Sequence, residues 1–300
     1  MPRKRSTALA ALRRAALIAG LALAACGDGP ETAYVADPPR ADPSAIPPAP
    51  RLAIVLSGGG PRGFAHIGVL KVLAEAGIKP DLVVGTSSGA LVGVLYAAHP
   101  SPAELEKRAL ALGGANVFDY DVFRQRVSGS ALQSWIDRAV EGRTIDRLML
   151  PVVVVATRQT DGTPVAFTRG DAGAAVRASS AVPGSFSPVR IGGDVFVDGD
   201  ISAPLPISIA RSFGAKRVIA VDVAQDVSRA PAPANAPASW TTEAVERRAK
   251  IARELPGADV VIAPPLPYIT GFSTDYRRMA IATGERAARE ALPRLRALLN

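Results

Sequence analysis

Short runs of apolar residues alternate along the chain with longer segments in which apolar residues recur at helical spacing. A continuous apolar run of about five residues is typical of a strand buried on both faces of a parallel sheet. A hairpin is predicted where Gly192 and Gly193 separate Val189–Ile191 from Val195–Val197. The buried strands predicted from such runs are Leu52–Leu56, Leu82–Val84, Pro151–Val155, Lys216–Val223 and Asp259–Ala263.

Predicted helices follow most of these strands. Ser101 and Glu104 have the spacing of a capping box, and Pro102 occupies the first helical position between them. Asp171 is predicted to cap a later, shorter helix. The predicted helices are one that ends near Gly77, 88–99, one that starts at Ser101, 130–140, 171–180 and 275–299. The alternation of strand and helix predicts an α/β fold: a three-layer sandwich with a mostly parallel central sheet.

Composition agrees with a globular domain. The chain has 300 residues, of which 48% are hydrophobic and 21% are charged, enough apolar material for a substantial core. Residues 226–240 are rich in Ala and Pro and are predicted to form an exposed, mobile loop.

The N-terminal region is organised differently from the rest. Residues 1–25 carry five Lys or Arg side chains and no acid, and the apolar run after them is shorter than the roughly 20 residues that span a bilayer. This pattern predicts a signal peptide. Removing its five positive charges lowers the formal net charge from +8 to +3, a balance that does not suggest nucleic-acid binding. Residues 26–50 are predicted to be a flexible tether rich in Pro and Ala, and residues 51–300 the folded domain.

Cys26 is the only cysteine of the chain, and it follows Leu23, Ala24 and Ala25. This ending resembles the lipobox of bacterial lipoproteins, in which the cysteine sulfur receives a diacylglycerol group and becomes the first residue after cleavage. The alternative is an ordinary signal peptide with an incidental cysteine. The resemblance implies a lipid-anchored protein of the cell envelope. Gly27 favours the outer membrane, although Asp28 weakens that inference.

A glycine-rich turn follows the first buried strand. Its residues Gly58, Gly60 and Gly63 have the spacing of a dinucleotide-binding fingerprint, but the acidic residue that should end the second strand is missing. A phosphate-binding P-loop is excluded because no Gly-Lys-Ser/Thr follows. We therefore expect backbone N–H groups of this turn, at the start of a helix, to face an anion.

The second buried strand ends in Gly85, Thr86, Ser87, Ser88 and Gly89, directly before a helix. A Gly-x-Ser-x-Gly sequence between a strand and a helix is typical of a nucleophile elbow, in which the sharp turn needs small neighbours and projects the serine above the sheet. Such a sequence also arises by chance in Gly- and Ala-rich chains, but this context favours a nucleophilic Ser87.

A nucleophilic serine needs a base. The chain has only two histidines, His66 and His99, and none follows the serine in the position that an α/β-hydrolase triad requires. Both histidines are therefore interpreted as structural. Asp198 is the best candidate base, because it ends an apolar strand and precedes a glycine. The alternatives are that Asp198 and Asp200 cap a turn or bind a metal, although no cluster of metal ligands accompanies them.

Together these motifs resemble the patatin-like phospholipases. The resemblance rests on the glycine loop Gly58–Gly63, the elbow Gly85–Gly89 and the Asp198-Gly199 pair, and it extends to the connecting segments 63–70, 178–184 and 204–206. It covers residues from about 52 to at least 223, most of the chain after the signal peptide.

The resemblance implies hydrolysis of lipid acyl esters by a Ser87–Asp198 dyad, without metal or cofactor. It also implies an oxyanion hole formed by Gly58, Gly59, Gly60, Arg62 and Gly63, in which amides of Gly58–Gly60 hold the oxyanion and Arg62 supports the loop. One residue departs from the family pattern, since Asp200 occupies a position where the family has Gly or Ala.

The expected partners are a lipid acyl ester and, through the anchor, a membrane surface. Two alternatives remain open at this point. An acyltransferase would use the same dyad to pass the acyl group to an alcohol other than water. A non-catalytic lipid-binding lipoprotein would keep the fold without turnover.

Overall fold

The computed structural model describes residues 30–33, 35–113, 117–122, 124–226, 228, 230, 238–268 and 270–299. The predicted signal peptide 1–25, the lipidation residue Cys26 and most of the predicted loop 226–240 lie outside these residues.

Eleven strands occur in the described residues, and nine of them form one sheet. In chain order they are β1 (Glu31–Thr32), β2 (Leu52–Leu56), β3 (Leu82–Thr86), β4 (Tyr120–Asp121), β5 (Arg126–Val127), β6 (Val152–Arg158), β7 (Pro164–Phe167), β8 (Val189–Ile191), β9 (Asp194–Val197), β10 (Arg217–Val221) and β11 (Val260–Ile262). The sheet order is β1-β8-β9-β6-β3-β2-β10-β11, and β7 also pairs with β6. The central strands β6, β3, β2, β10 and β11 are parallel, whereas β7 and β9 run antiparallel to β6.

The helices cover both faces of this sheet. They are α1 (Phe64–Glu75), α2 (Ser88–Ala98), α3 (Pro102–Ala111), α4 (Ser130–Ala139), α5 (Ala172–Ser179), α6 (Ile207–Ser212), α7 (Ala238–Glu254) and α8 (Thr274–Leu299). Successive residues of one strand face opposite layers: Ile54 and Leu56 belong to one apolar cluster, and Ala53 and Val55 to the other. The predicted three-layer α/β sandwich with a mostly parallel sheet is confirmed.

The prediction of a flexible tether over residues 26–50 is wrong for its described part. Glu31 and Thr32 pair with β8, and Ile46 is buried in one of the two apolar clusters. The carboxylate of Glu31 receives hydrogen bonds from Arg177 at 2.7 Å and from Arg124 at 2.6 Å. The segment is held by backbone pairing and ion pairs. These contacts do not require a periodic pattern of apolar residues, so no sign of them appears in the sequence.

Helix α7 was not predicted. Its neighbour in sequence is the Pro- and Ala-rich stretch, and its composition is highly charged, so the apolar signal is weak. Among the helix residues whose burial is described, 241–254, only Ala244 and Ile251 are buried. Arg247 and Arg248 of α7 instead pair with Asp200 and Asp222, which follow strands β9 and β10.

Candidate active site

Ser87 occupies the turn between β3 and α2. Its backbone φ is 53° and its ψ is −122°, a conformation that is rare for a residue with a side chain. The N–H of Ser87 donates to Oγ of Ser179 at 2.8 Å, and that hydroxyl donates onward to the carbonyl oxygen of Val155 at 2.6 Å. The strained turn is therefore fixed by a neighbouring helix and strand.

The two glycines of the elbow are needed for close backbone approach. A Cβ on Gly85 would lie 2.5 Å from the carbonyl oxygen of Gly89, and a Cβ on Gly89 would lie 2.2 Å from the carbonyl oxygen of Leu56. Both distances are far shorter than a carbon–oxygen contact allows. The serine turn can pack this tightly on the sheet only with glycine at both positions.

The hydroxyl of Ser87 donates a hydrogen bond to Oδ2 of Asp198, and the oxygen–oxygen distance is 2.8 Å. Asp198 follows β9, which lies beside β6, and β6 pairs with β3, the strand that carries the serine turn. Two residues 111 positions apart thus meet because their strands are separated by only one other strand. Both side chains are buried.

Asp198 also makes the turn-capping contact that is the alternative to a catalytic role. Its Oδ1 accepts from the N–H of Asp200 at 2.8 Å, while Oδ2 remains directed at Ser87. Burial raises the pKa of Asp198 to about 7, and the nearby Asp200 carboxylate acts in the same direction. A carboxyl group with a pKa near 7 is a much stronger base than an exposed aspartate.

The glycine loop lies next to this pair. The N–H of Gly58 already donates to the carbonyl oxygen of Pro204 at 3.0 Å, so the expectation that it binds an oxyanion is wrong for this conformation. Gly58 instead permits close packing, since a Cβ there would be 3.3 Å from the Cβ of Ser87. The N–H groups of Gly59 and Gly60 start the following 3-10 helix and have no acceptor in the described part of the chain.

Arg62 and Gly63 support the loop rather than donating into the site. The guanidinium of Arg62 donates to the carbonyl oxygen of Tyr268 at 2.6 Å, which ties the loop to the segment before α8. Gly63 lies against Ser88 at the start of α2, where a Cβ would be 2.6 Å from the Cβ of Ser88.

Both histidines have structural contacts. His66 is fully buried, and its Nε2 donates to the carbonyl oxygen of Ser57 at 2.9 Å. Burial lowers the pKa of His66 to about 4, so the ring is neutral at physiological pH and stabilises the strand end before the glycine loop. His99 follows α2 and contacts Arg143 at 3.2 Å.

An apolar cavity of about 170 Å³ opens beside Ser87. The polar residues of its lining are Ser87, Ser88, Ser180 and Arg108. The apolar lining side chains come mainly from α1, α2, α3 and α4 and from the segments near Phe118, Phe186 and Phe272. Leu112, Trp135 and Arg108 also line a shallow depression on the outside, so they separate the cavity from solvent.

The sequence missed two contributors to this site. Ser179 lies in the segment 178–184 that carries part of the family resemblance, and that segment was the signal for it. Arg247 contacts Asp200 from α7, and no local pattern marks it. Within the described residues no group of three or more His, Cys, Asp or Glu side chains is arranged to hold a metal ion, and none of the helices there is long and apolar enough to cross a bilayer.

The fold and this site define an α/β protein with a serine at a strand-to-helix elbow, hydrogen-bonded to a buried aspartate. The chain belongs to the patatin-like phospholipase family, whose model matches residues 54–211.

Among similar proteins, human patatin-like phospholipase domain-containing protein 6 is 40% identical over 182 residues, which cover 57% of this chain and 13% of that protein. An uncharacterized NTE family protein of Mycobacterium bovis is 33% identical over 182 residues, 58% of this chain and 49% of that protein. The chain thus spans from about an eighth to about half of the length of these relatives. The crystal structure of VipD from Legionella pneumophila has the same fold, with a TM-score of 0.57 at 14% identity over 82% of this chain and 67% of that one.

Proposed function

We propose that this protein hydrolyses carboxylic esters of lipids, with Ser87 as nucleophile and Asp198 as base. The observation that carries the proposal is the 2.8 Å hydrogen bond between these two side chains at the wall of an apolar cavity. Membership in the patatin-like phospholipase family supports the same reaction class.

In the first step Oγ of Ser87 attacks the ester carbonyl carbon while Oδ2 of Asp198 accepts the hydroxyl proton. A buried carboxylate with a pKa near 7 can take this proton at neutral pH. The carbonyl oxygen becomes an oxyanion, for which the amides of Gly59 and Gly60 are the best-placed donors. Each such donor stabilises the transition state by about 3 kcal/mol in comparable sites.

In the second step the tetrahedral intermediate collapses, and the proton held by Asp198 passes to the departing alcohol oxygen. Water then enters, Asp198 accepts one of its protons, and the hydroxide attacks the acyl carbonyl. The second collapse releases the fatty acid and returns the proton to Ser87. The carboxylate thus acts as base and acid in turn, as histidine does in other serine hydrolases.

The cavity favours a fatty-acyl substrate. Its lining is almost wholly apolar, and it begins at the serine, so an acyl chain whose carbonyl lies at Ser87 would extend into it. Burial of each methylene group contributes about 0.8 kcal/mol to binding.

The test is turnover of a chromogenic fatty-acyl ester by the wild type, Ser87→Ala, Asp198→Asn and a remote control, Ser212→Ala. We expect the first two variants to lose at least about 10³-fold in kcat. The control should equal the wild type, since its exposed hydroxyl donates to the carbonyl oxygen of Ile209 in the same helix, α6. Chelator should not alter the rate. Undiminished turnover by Ser87→Ala would remove this serine from the mechanism, and transfer to added alcohols in preference to water would favour an acyltransferase.

We also propose that Cys26 carries a lipid anchor on the cell envelope. The proposal rests on the sequence around Cys26, and the position of Glu31 in the sheet adds a consequence. Only four residues, 27–30, lie between the two, so five Cα–Cα steps would keep the anchor within about 17 Å of the folded domain. Cys26→Ser expressed in a lipoprotein-processing host should lose incorporation of a labelled fatty acid and move from the membrane to the soluble fraction. Retention of the label would contradict the assignment.

A further inference from the structure

Asp200 lies two residues after the proposed base and contacts both halves of the proposed catalytic machinery. Its backbone N–H donates to Oδ1 of Asp198 at 2.8 Å. Its side chain lies against the glycine loop, where a Cβ on Gly58 would be only 2.5 Å from Oδ1 of Asp200. A shift of Asp200 would therefore move the base and disturb the loop together.

A second carboxylate at this place has an electrostatic cost. Asp198 is buried and Asp200 is largely so, and the buried Oδ1 of Asp200 has no hydrogen-bond partner in the described residues. An uncompensated negative charge here would repel the ionised base and the oxyanion that forms beside the glycine loop. Like charges at such short range are strongly unfavourable in a site from which water is excluded.

Arg247 supplies the compensating charge. Its Nε donates to Oδ2 of Asp200 from helix α7, and the two side chains are 27% and 11% exposed. Two other charged groups face the pair: Asp222 is paired with Arg248, and Lys250, which donates to the carbonyl oxygen of Ile201, adds a smaller positive contribution near Asp200. Helix α7 lies beyond residues 54–211, the segment that matches the family model.

We propose that Asp200 and Arg247 form a positioning pair, in which Arg247 neutralises Asp200 and holds it where it orients Asp198 and packs against Gly58. The pair rests on the proposed function of Ser87 and Asp198. It links activity to α7, an element that the family motifs do not include. Arg247 acts through Asp200 and does not contact the reacting atoms.

A double-mutant cycle tests the pair, with Arg247→Gln, Asp200→Asn, the double variant, and Arg253→Gln as a matched control. Arg253 is an exposed arginine on the same helix. The readouts are kcat/KM on a fatty-acyl ester, the rate at which a fluorophosphonate labels Ser87, and the midpoint of thermal unfolding.

We expect Arg247→Gln to lower both rates at least about tenfold, because it leaves a buried carboxylate unpaired. The same substitution should lower them less than about threefold when Asp200 is already Asn, since no charge then needs compensation. Arg253→Gln should match the wild type. Asp200→Asn, which keeps the backbone N–H, should move the acidic limb of the pH–rate profile to lower pH by up to about one unit.

Equal losses from Arg247→Gln in both backgrounds, or wild-type rates in Arg247→Gln, would overturn the pair. If Arg247→Gln does not fold, the Asp200→Asn profile decides, and an unchanged acidic limb there overturns the proposal as well. Failure of the proposed function has a different signature. A wild type that labels at Ser87 but hydrolyses no lipid ester would contradict the substrate, while the labelling rates would still decide the role of Arg247.

Discussion

The hydroxyl of Ser87 donates to a carboxylate oxygen of Asp198 that is itself excluded from water. Burial of both partners favours proton transfer from Ser87 to Asp198. It raises the pKa of Asp198 and so strengthens it as a base, and it removes the water that would compete for the serine hydroxyl. In the proposed mechanism this pair transfers a proton at neutral pH without an imidazole.

The first prediction is a pH dependence of ester hydrolysis. Asp198 must be ionised to accept the proton of Ser87, and its pKa is about 7. Below that pH, kcat/KM should fall about tenfold for each pH unit. His66 is not the source of this limb, because its pKa is about 4. The measurement is kcat/KM on an uncharged ester between about pH 5 and 9, and a flat profile across the acidic half of that range would contradict it.

The second prediction concerns stability. The pKa of Asp198 is raised from 3.8 to about 7 in the folded state, so the folded protein prefers the neutral carboxyl group. The contribution of Asp198 to folding stability is therefore greatest below pH 3.8 and is lost as the pH rises through about 7. Asp198→Asn removes the titration and should raise Tm at about pH 8 by several degrees relative to the wild type, with a much smaller gain at about pH 4.

The control is Asp194→Asn, the same change at a half-exposed side chain that pairs with Arg158. It should not show a gain that grows with pH. Equal Tm differences for Asp198→Asn at the acidic and the alkaline pH would mean that the aspartate is not held against ionisation by burial.

The third prediction concerns the elbow. Gly89→Ala would place a methyl group 2.2 Å from the carbonyl oxygen of Leu56, and neither backbone can move without disturbing the sheet. We expect a loss of stability of about 2 kcal/mol or more and a collapse of activity, because the turn that carries Ser87 must shift. Gly193→Ala is the matched control, since no atom lies within 4 Å of the place that its methyl group would take. Chemical denaturation and ester turnover measure both effects, and a fully active Gly89→Ala protein would contradict the close approach.

Local patterns predicted most of the fold because the buried strands are continuous apolar runs whose character depends little on their neighbours. The site residues Ser87, Gly85, Gly89 and Asp198 were predicted for a related reason: the turn that exposes a nucleophile has strict local requirements. No local sequence pattern indicates the contacts of Glu31 and Arg247. Each contact joins two charged side chains that are far apart in the sequence, and an isolated charged residue forms no repeating pattern from which its partner could be predicted.

The local sequence also could not predict which N–H group of the glycine loop is already hydrogen-bonded. Gly58, Gly59 and Gly60 are equivalent in sequence, but only Gly58 meets the carbonyl of Pro204, which arrives from a segment 146 positions later. Similarly, the direction of β9 depends on the hairpin with β8, so the approach of Asp198 to Ser87 from an antiparallel strand required the structure.

The fourth prediction concerns acyl-chain length. Trp135 lines both the cavity beside Ser87 and the outer depression, so its indole lies in the wall between them. Trp135→Ala should open a path for longer chains and move the optimum of kcat/KM to acyl groups longer by several carbons, with kcat on short esters changed less than about threefold. A series of esters from short to long saturated acyl chains measures this. Leu148→Ala, a partly buried change outside the cavity lining, is the control, and an unshifted optimum in Trp135→Ala would contradict the assignment.

The last prediction concerns the segment before the first central strand. Glu31 accepts from Arg177, whose side chain is 5% exposed, and from Arg124. Removal of the carboxylate in Glu31→Ala leaves the buried guanidinium with neutral acceptors only, the carbonyl of Ser128 and the amide oxygen of Gln133. We expect a loss of about 1–3 kcal/mol in unfolding free energy and faster proteolysis between residues 30 and 50.

The control Asp37→Ala removes a largely exposed pair with Arg40 and should cost less than about 1 kcal/mol. If both variants lose the same stability, the ion pair between Glu31 and Arg177 contributes nothing specific to the attachment of residues 30–50.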